Sequence, residues 1–314
     1  MAEGSKVEYK TLLKSLPGVL WLYQTLRSVY WLLKTNSFRF IRAFPPGHYY
    51  SPIPDSKSVL ASARAIFDQG VEQCPGIVLR EEAQLELVEV FSRYYDDLPW
   101  SEVPGQATRY YYQNDFFSYG DAITAYSFLR HYKPNKIVEV GSGFSSAALL
   151  DVNELFLEKR IDFSFIEPHP ERLFGLLRPE EKHLVLQQQV QDTPLQQFCA
   201  LCEDDILFID SSHVVKTGSD LQRTFFDILP ALKPGVFVHF HDILWPFEYP
   251  KEWFQDGRAW NEAYFLRSFL QFNDAFEIVY FNSYLAAHHT GVLREKMPLC
   301  CKNPGGSLWL RKVS

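Results

Sequence analysis

Four acidic residues and two histidines carry most of the chemistry that this sequence can offer. Glu139, Glu167, Asp210 and Asp242 each fall at or just past the end of a short apolar, strand-like run. His213 follows in Asp210-Ser-Ser-His213, and His241 immediately precedes Asp242. In open α/β sheets ligands bind beyond the carboxyl ends of the strands. Four acids at the same edge of one sheet therefore point to a binding or reaction site. The first of them lies in Lys136-Ile-Val-Glu-Val-Gly-Ser-Gly-Phe-Ser-Ser146, a strand, a tight turn and a helix start. Gly141 and Gly143 allow positive φ and close approach of a ligand to the backbone. The helix start offers free N–H groups beside them. The dinucleotide fingerprint G-x-G-x-x-G is incomplete, because Ser146 stands at its third glycine. Glu139 can pair with a cationic amino-acid group and would repel a pyrophosphate, which favours S-adenosylmethionine (SAM) over NAD. The plainer alternative is an ordinary turn between strand and helix.

The elements that would position these residues alternate regularly. Strand-like runs occur at 136–140, 162–166, 183–187, 205–210, 236–240, 276–281 and 307–311, and a helix is expected from Ala122 to His131. Glu167 ends the second strand, on the order of 20 residues past the glycines, where an acid can bind two ribose hydroxyls. Gln191 and Asp192 lie past the third, where an adenine amino group can be met. Asp121 occupies a helix-cap position; the sharper reading is that Tyr112, Asn114, Tyr119 and Asp121 line the cofactor cleft. His239 alternates with Val238 and Phe240 and reads as a core histidine. An aromatic insert, Trp245 to Tyr264, and a proline-rich segment, Pro45 to Pro54, would shape and close a pocket for a ring-bearing molecule.

The totals limit the alternatives. The chain has 314 residues and a net charge of −7, so no global field attracts nucleic acid. Five cysteines, two of them adjacent, argue for reduced thiols in the cytoplasm. No secretory signal is visible. From Tyr9 to Pro54 there is no acidic residue, while Lys10, Lys14, Arg27, Lys34, Arg39 and Arg42 are interleaved with Leu, Trp and Tyr. This reads as one or two basic amphipathic helices over residues 10–44, for a peripheral membrane contact, a homo-oligomer or the chain's own core. The domain layout expected is 1–55, helical extension and lid; 56–118, helical cap; and 119–314, the α/β domain.

At Glu139-x-Gly141-x-Gly143, Glu167, Asp210 and His241-Asp242 the sequence resembles a class I SAM-dependent methyltransferase. Within that group it is similar to small-molecule O-methyltransferases with Asp-x-Ser-His and His-Asp motifs. The resemblance covers roughly Tyr112 to Arg311. It implies a Rossmann-like, doubly wound, seven-stranded and mostly parallel sheet with an antiparallel last strand, to which the helical N-terminal extension is added. It implies SAM as methyl donor and often a divalent cation, Mg²⁺, Mn²⁺ or Fe²⁺. Glu139, Gly141, Ser142 and Gly143 would hold the methionine part, Glu167 the ribose, and Gln191 or Asp192 the adenine. Asp210, His241 and Asp242 fall at metal-ligand positions, and His213 at that of the general base. Ser211 replaces the group's usual glycine, and His241 replaces a harder oxygen ligand. The acceptor would be a hydroxyl on a small molecule such as a sugar or secondary metabolite. Two other readings are a metal-dependent hydroxylase using His213, His241 and a carboxylate, and a SAM-binding subunit without catalysis.

Overall fold

A computed structural model of the chain describes residues 17–68 and 70–314. Lys10 and Lys14 of the basic segment lie outside these residues. The chain divides into two units, residues 1–69 and 70–314.

In the first unit, helix α1 spans Pro17–Lys34, a short helix Phe38–Ala43 follows, and two more short helices span Ser56–Ala61 and Ala63–Phe67. Asp55 caps the former by accepting from the Lys57 N–H at 3.0 Å. The proline-rich segment between them is ordered by its own bonds. The Gly47 N–H donates to the Ile53 carbonyl at 2.9 Å, and the His48 ring accepts from the Tyr50 N–H at 3.1 Å.

The second unit is built on a seven-stranded sheet in the order β3-β2-β1-β4-β5-β7-β6. The strands are β1 Lys136–Val140, β2 Asp162–Ile166, β3 Val185–Leu186, β4 Ile206–Ile209, β5 Phe237–Phe240, β6 Phe276–Phe281 and β7 Leu308–Lys312. The first five pair in parallel, and β7 runs antiparallel between β5 and β6. This is the Rossmann-like α/β architecture, with an antiparallel last strand, that the resemblance implied. β4 and β5 are buried on both faces, which their continuous apolar runs require. His239 is inside the core, stacked on Phe208 at 3.7 Å and bonded through Nε2 to Ser307 Oγ at 2.8 Å. Burial holds its pKa well below the ordinary histidine value.

Helix α2, Glu81–Ser92, precedes a largely irregular arm that runs to Ser118. That arm is no helical cap. Its Trp100, Tyr110, Tyr112 and Phe117 are core residues, and Arg109 anchors it to Asp151 at 2.8 Å, to Glu154 at 3.0 Å and to Glu181. Helix α3, Tyr119–Tyr132, is buried through most of its length, and α4, Phe144–Phe156, follows the glycine turn. Helix α5, Glu262–Leu270, closes the aromatic insert.

The strand ends are held in step. The ladder continues one residue past each: Gly141 N to Ile166 O at 3.0 Å, Glu167 N to Leu186 O at 3.1 Å, Asp210 N to Val140 O at 2.9 Å, and His241 N to Ile209 O at 2.9 Å. Glu167, Gly141, Asp210 and His241 therefore form one row across the sheet edge. At the centre of this row Gly141 has φ +78°, and a Cβ there would lie 1.7 Å from the Asp210 carbonyl oxygen. The neighbouring strand by itself demands a glycine here. Replacing it, Gly141→Ala, is expected to cost on the order of 3 kcal/mol or more, read as a fall in the urea midpoint. A loss below about 1 kcal/mol would mean that the two strand ends part freely.

Candidate functional site

Two clefts open along this row. One, of about 510 Å³, is lined by Gly141, Glu167, Val190, Gln191, Ser211 and Asp220, among others. The second, of about 610 Å³, runs from Ser142 and Gly143 past Asp210, His213, His241 and Asp242 to Trp253, Arg258 and Trp260. Gly141, Glu167, Asp210, Ser211 and Ser212 border both.

Glu167 is fixed at the junction. Its carboxylate accepts from the Ser142 N–H at 3.1 Å and from the His169 N–H at 2.7 Å. The glycine turn and the loop after β2 are thus tied through one side chain. The hydroxyls of Ser142 and Ser211 are buried and have no protein partner. Buried polar atoms are normally paired, and both residues line a cleft, so each hydroxyl suits a ligand. Gln191 lines the first cleft and donates to the Gly218 carbonyl at 2.9 Å. Asp192 is exposed and does not line it.

Several sequence expectations are corrected by this geometry. Glu139 does not reach either cleft. It is fully buried and accepts from Ser145 Oγ at 2.5 Å and Ser146 Oγ at 2.6 Å in the first turn of α4. Burial pushes its pKa up to about 8, against the pull of the two serine bonds, with Asp210 and Glu167 adding to the rise. A direct pairing with a ligand's amino group is not what this placement offers. Gly143 has φ 179° and room for a Cβ, 3.6 Å from Arg172, so it is not a forced glycine. Tyr119 stacks on Tyr112 at 4.8 Å and bonds Glu102 through its hydroxyl. Neither tyrosine lines the two clefts; from that arm Asp115, Phe116 and Phe117 do.

Asp121 is more than a plain cap: with Asn114, His241 and Asp242 it lines a further cleft of about 420 Å³. One oxygen accepts from the Gly306 N–H at 3.0 Å and Ser307 Oγ at 2.6 Å; the other lies 3.4 Å from His241 Nε2. It therefore orients the His241 ring from behind and ties α3 to the start of β7. The packing is close enough that a Cβ on Gly305 would collide with this carboxylate.

On its other side His241 Nδ1 faces Asp210 and Asp242, each at 3.5 Å. Neither ring nitrogen makes a regular hydrogen bond. Ligand atoms of Asp210, His241 and Asp242 all lie within 4.8 Å of one another. The donor set of two carboxylates and an imidazole, with a carboxylate behind the imidazole, suits a divalent cation. Burial opposes charge on His241, but Asp210, Asp242 and Asp121 hold its pKa well above the ordinary value. Burial likewise opposes ionisation of Asp210, and the two imidazoles outweigh it and keep that carboxyl well below the usual range.

His213 closes the group. The loop after β4 returns through His213 at φ +57° and is clamped by the start of α5. The His213 carbonyl accepts from the Asn261 N–H at 3.1 Å and the Glu262 N–H at 3.2 Å, and the Asn261 side chain accepts from the Val215 N–H at 2.7 Å. His213 Nδ1 bonds Glu262 at 2.8 Å, which leaves Nε2 facing Asp210 at 3.5 Å and Asp242 at 3.6 Å. Burial works against the imidazolium, yet the bonds to Asp210 and Glu262 push its pKa up to about 10. His213 thus holds its proton at neutral pH in this arrangement. Glu262 had no signal in the sequence, being separated from His213 by 49 positions. Trp260, packed on His213 at 4.2 Å, came with the aromatic insert.

Residues 138–243 match the family described as a methyltransferase domain. That stretch runs from β1 to just past β5 and includes the whole row of strand-end residues. Over 189 residues the chain is 39% identical to an uncharacterized protein of Archaeoglobus fulgidus, a span covering 59% of this chain and 85% of that protein. The chain belongs to the same family as this archaeal protein. Among solved structures, similarity extends to the SAH-bound methyltransferase PaMTH1 of Podospora anserina (13% identity, TM-score 0.39, 84% of this chain and 99% of that one). It extends also to the apo-structure of CmcI-N160 (16% identity, TM-score 0.38, 71% and 84%).

The buried Glu139 gives a pH signature. Its folded pKa, about 8, stands above an unfolded value near 4.5, so the folded state binds more protons between those limits. Stability is therefore expected to fall as pH rises from about 4.5 to 8, by up to a few kcal/mol. In Glu139→Gln this loss should vanish. Parallel slopes for the two proteins in urea titrations across that range would show that Glu139 ionises as freely folded as unfolded.

Proposed function

We propose that this protein is a SAM-dependent methyltransferase acting on a hydroxyl oxygen of a small molecule, with a divalent cation at Asp210, His241 and Asp242. The observation that carries the reading is the single row Glu167, Gly141, Asp210 and His241. It brings the Glu167 carboxylate, suited to ribose hydroxyls, to the same edge as Asp210, His241 and Asp242, suited to a cation, along two clefts that share bordering residues. Glu167, Gln191 and the unpartnered hydroxyls of Ser142 and Ser211 suit the nucleoside and its tail. When bound, SAM supplies an electrophilic methyl group and the cation lowers the pKa of an acceptor hydroxyl.

The protein's own contribution is orientation and proton handling. Glu262 fixes His213 through Nδ1, so that Nε2 faces the acceptor side, as a base directed by a third group requires. A cation held by Asp210 and Asp242 would take up their charge, and His213 Nε2, turned to that side by Glu262, would then be suited to accept a proton from an acceptor hydroxyl. Asp121 holds the His241 ring. Phe116, Trp253 and Trp260 form apolar walls for the acceptor, and Arg172 and Arg258 lie on them, over Phe116 at 3.6 Å and Trp253 at 4.6 Å. The hydroxylase alternative needs His213 as a ligand and is weaker here, since His213 stands outside the three-residue ligand group.

The test is transfer of labelled methyl from SAM to a panel of hydroxylated small molecules. Chelation should abolish transfer and Mg²⁺ or Mn²⁺ restore it, and Asp242→Asn should lose most of that metal dependence together with activity. His213→Gln is expected to lower turnover by about 10² to 10⁴ while SAM binding by calorimetry stays unchanged. If the protein takes up no SAM or SAH at millimolar concentration, the reading fails outright.

A further inference from the structure

We infer that helix α1 docks on an anionic lipid surface, lying in its plane. Val19, Leu22, Leu26, Val29 and Leu33 follow a three-and-four spacing, which puts them on one stripe of the helix. All five are exposed, Leu26 by 60% and Leu33 by 66%. Tyr23 and Tyr30 border the stripe, and Trp21 and Trp31 are exposed as well. A contiguous apolar face of this kind, rimmed by polar groups, marks an interaction site.

Charge selects the occupant. On the wheel Arg27 and Lys34 sit beside the tyrosine edge, and Arg39 and Arg42 follow in the next helix next to an exposed Phe40. The sequence from Tyr9 to Pro54 contains no acid to answer them. Lys34 Nζ lies 4.7 Å from the Trp31 ring and Arg39 5.0 Å from the Phe40 ring, so charged heads ride on aromatic bodies. Pairing two such helices would set cations side by side without complementary acids, which disfavours a second copy as the partner. A headgroup layer suits the stripe and its edge: phosphates for the cations, the acyl boundary for the leucines, and the interface for the two tyrosines. No described helix is long and apolar enough to cross a bilayer, in keeping with a helix that lies on the surface.

The experiment is flotation of the full-length protein with phosphatidylcholine vesicles, with and without phosphatidylserine. The protein should float with the anionic vesicles and be released by high salt. Arg27→Gln combined with Lys34→Gln should weaken partitioning on the order of 30-fold. Leu26→Asp with Leu33→Asp should abolish it, with the thermal unfolding of the sheet domain unchanged. Absence from the anionic fraction, or equal flotation of the Leu26→Asp/Leu33→Asp variant, overturns the inference. So does a concentration-dependent dimer in sedimentation that the same variant removes, which would assign the stripe to a second copy.

Discussion

Everything at the site depends on the register of four parallel strands. Because the ladder runs one residue past Ile166, Val140 and Ile209, the residues that follow these strands are held at fixed spacing by main-chain bonds rather than by their own side chains. Strand order then decides which chemistry meets which. β1 and β4 are neighbours, so Gly141 abuts Asp210; β4 and β5 are neighbours, so Asp210 abuts His241. A slip of one residue would turn every one of these side chains to the other face. The contact of Gly141 with the Asp210 carbonyl guards the register at the tightest point.

Side chains outside the two main clefts set the orientation of those that line them. Asp121 stands behind His241, Glu262 behind His213, and Asn261 holds the loop between Asp210 and Val215. Each supporter comes from a distant element: the start of α3, or the start of α5 beyond the aromatic insert. Rigid elements with locked rotamers place functional groups more closely than loops can. Here the loop after β4 borrows rigidity from the start of α5.

This division explains what the sequence made legible. Strand ends were readable because apolar runs stop at acids, and the row of Glu167, Asp210, His241 and Asp242 lies where those stops predicted. The supporting residues were not readable. Glu262 looks like any acid in the first turn of a helix, and only the return of that helix against the β4 loop gives it His213 as a partner. Glu139 misled for the opposite reason. An acid two residues before the turn reads as a ligand-facing charge, but alternation along β1 turns it to the face covered by Ser145 and Ser146. Of the stretch 56–118 expected as a helical cap, regular helix ends at Ser92; beyond it the aromatic residues, spaced without helical period, are buried through largely irregular backbone. β3, with two paired residues, is shorter than its apolar run.

The charge balance of the site gives the cation its physical rationale. Asp121, Asp210, Asp242 and Glu262 surround two imidazoles, and even with both rings protonated the carboxylates exceed them by two. Asp121, His213, His241 and Glu262 are buried, where uncompensated charge is costly. The strain shows in opposite shifts: burial raises the pKa of Asp242 and of Glu262, while Asp210, facing both imidazoles, is lowered. A divalent ion among Asp210, His241 and Asp242 would take the place of the two imidazolium charges, since an imidazole binds a metal as the neutral ring. It would also relieve the imidazoles of their role as counter-ions, leaving His213 free to exchange a proton.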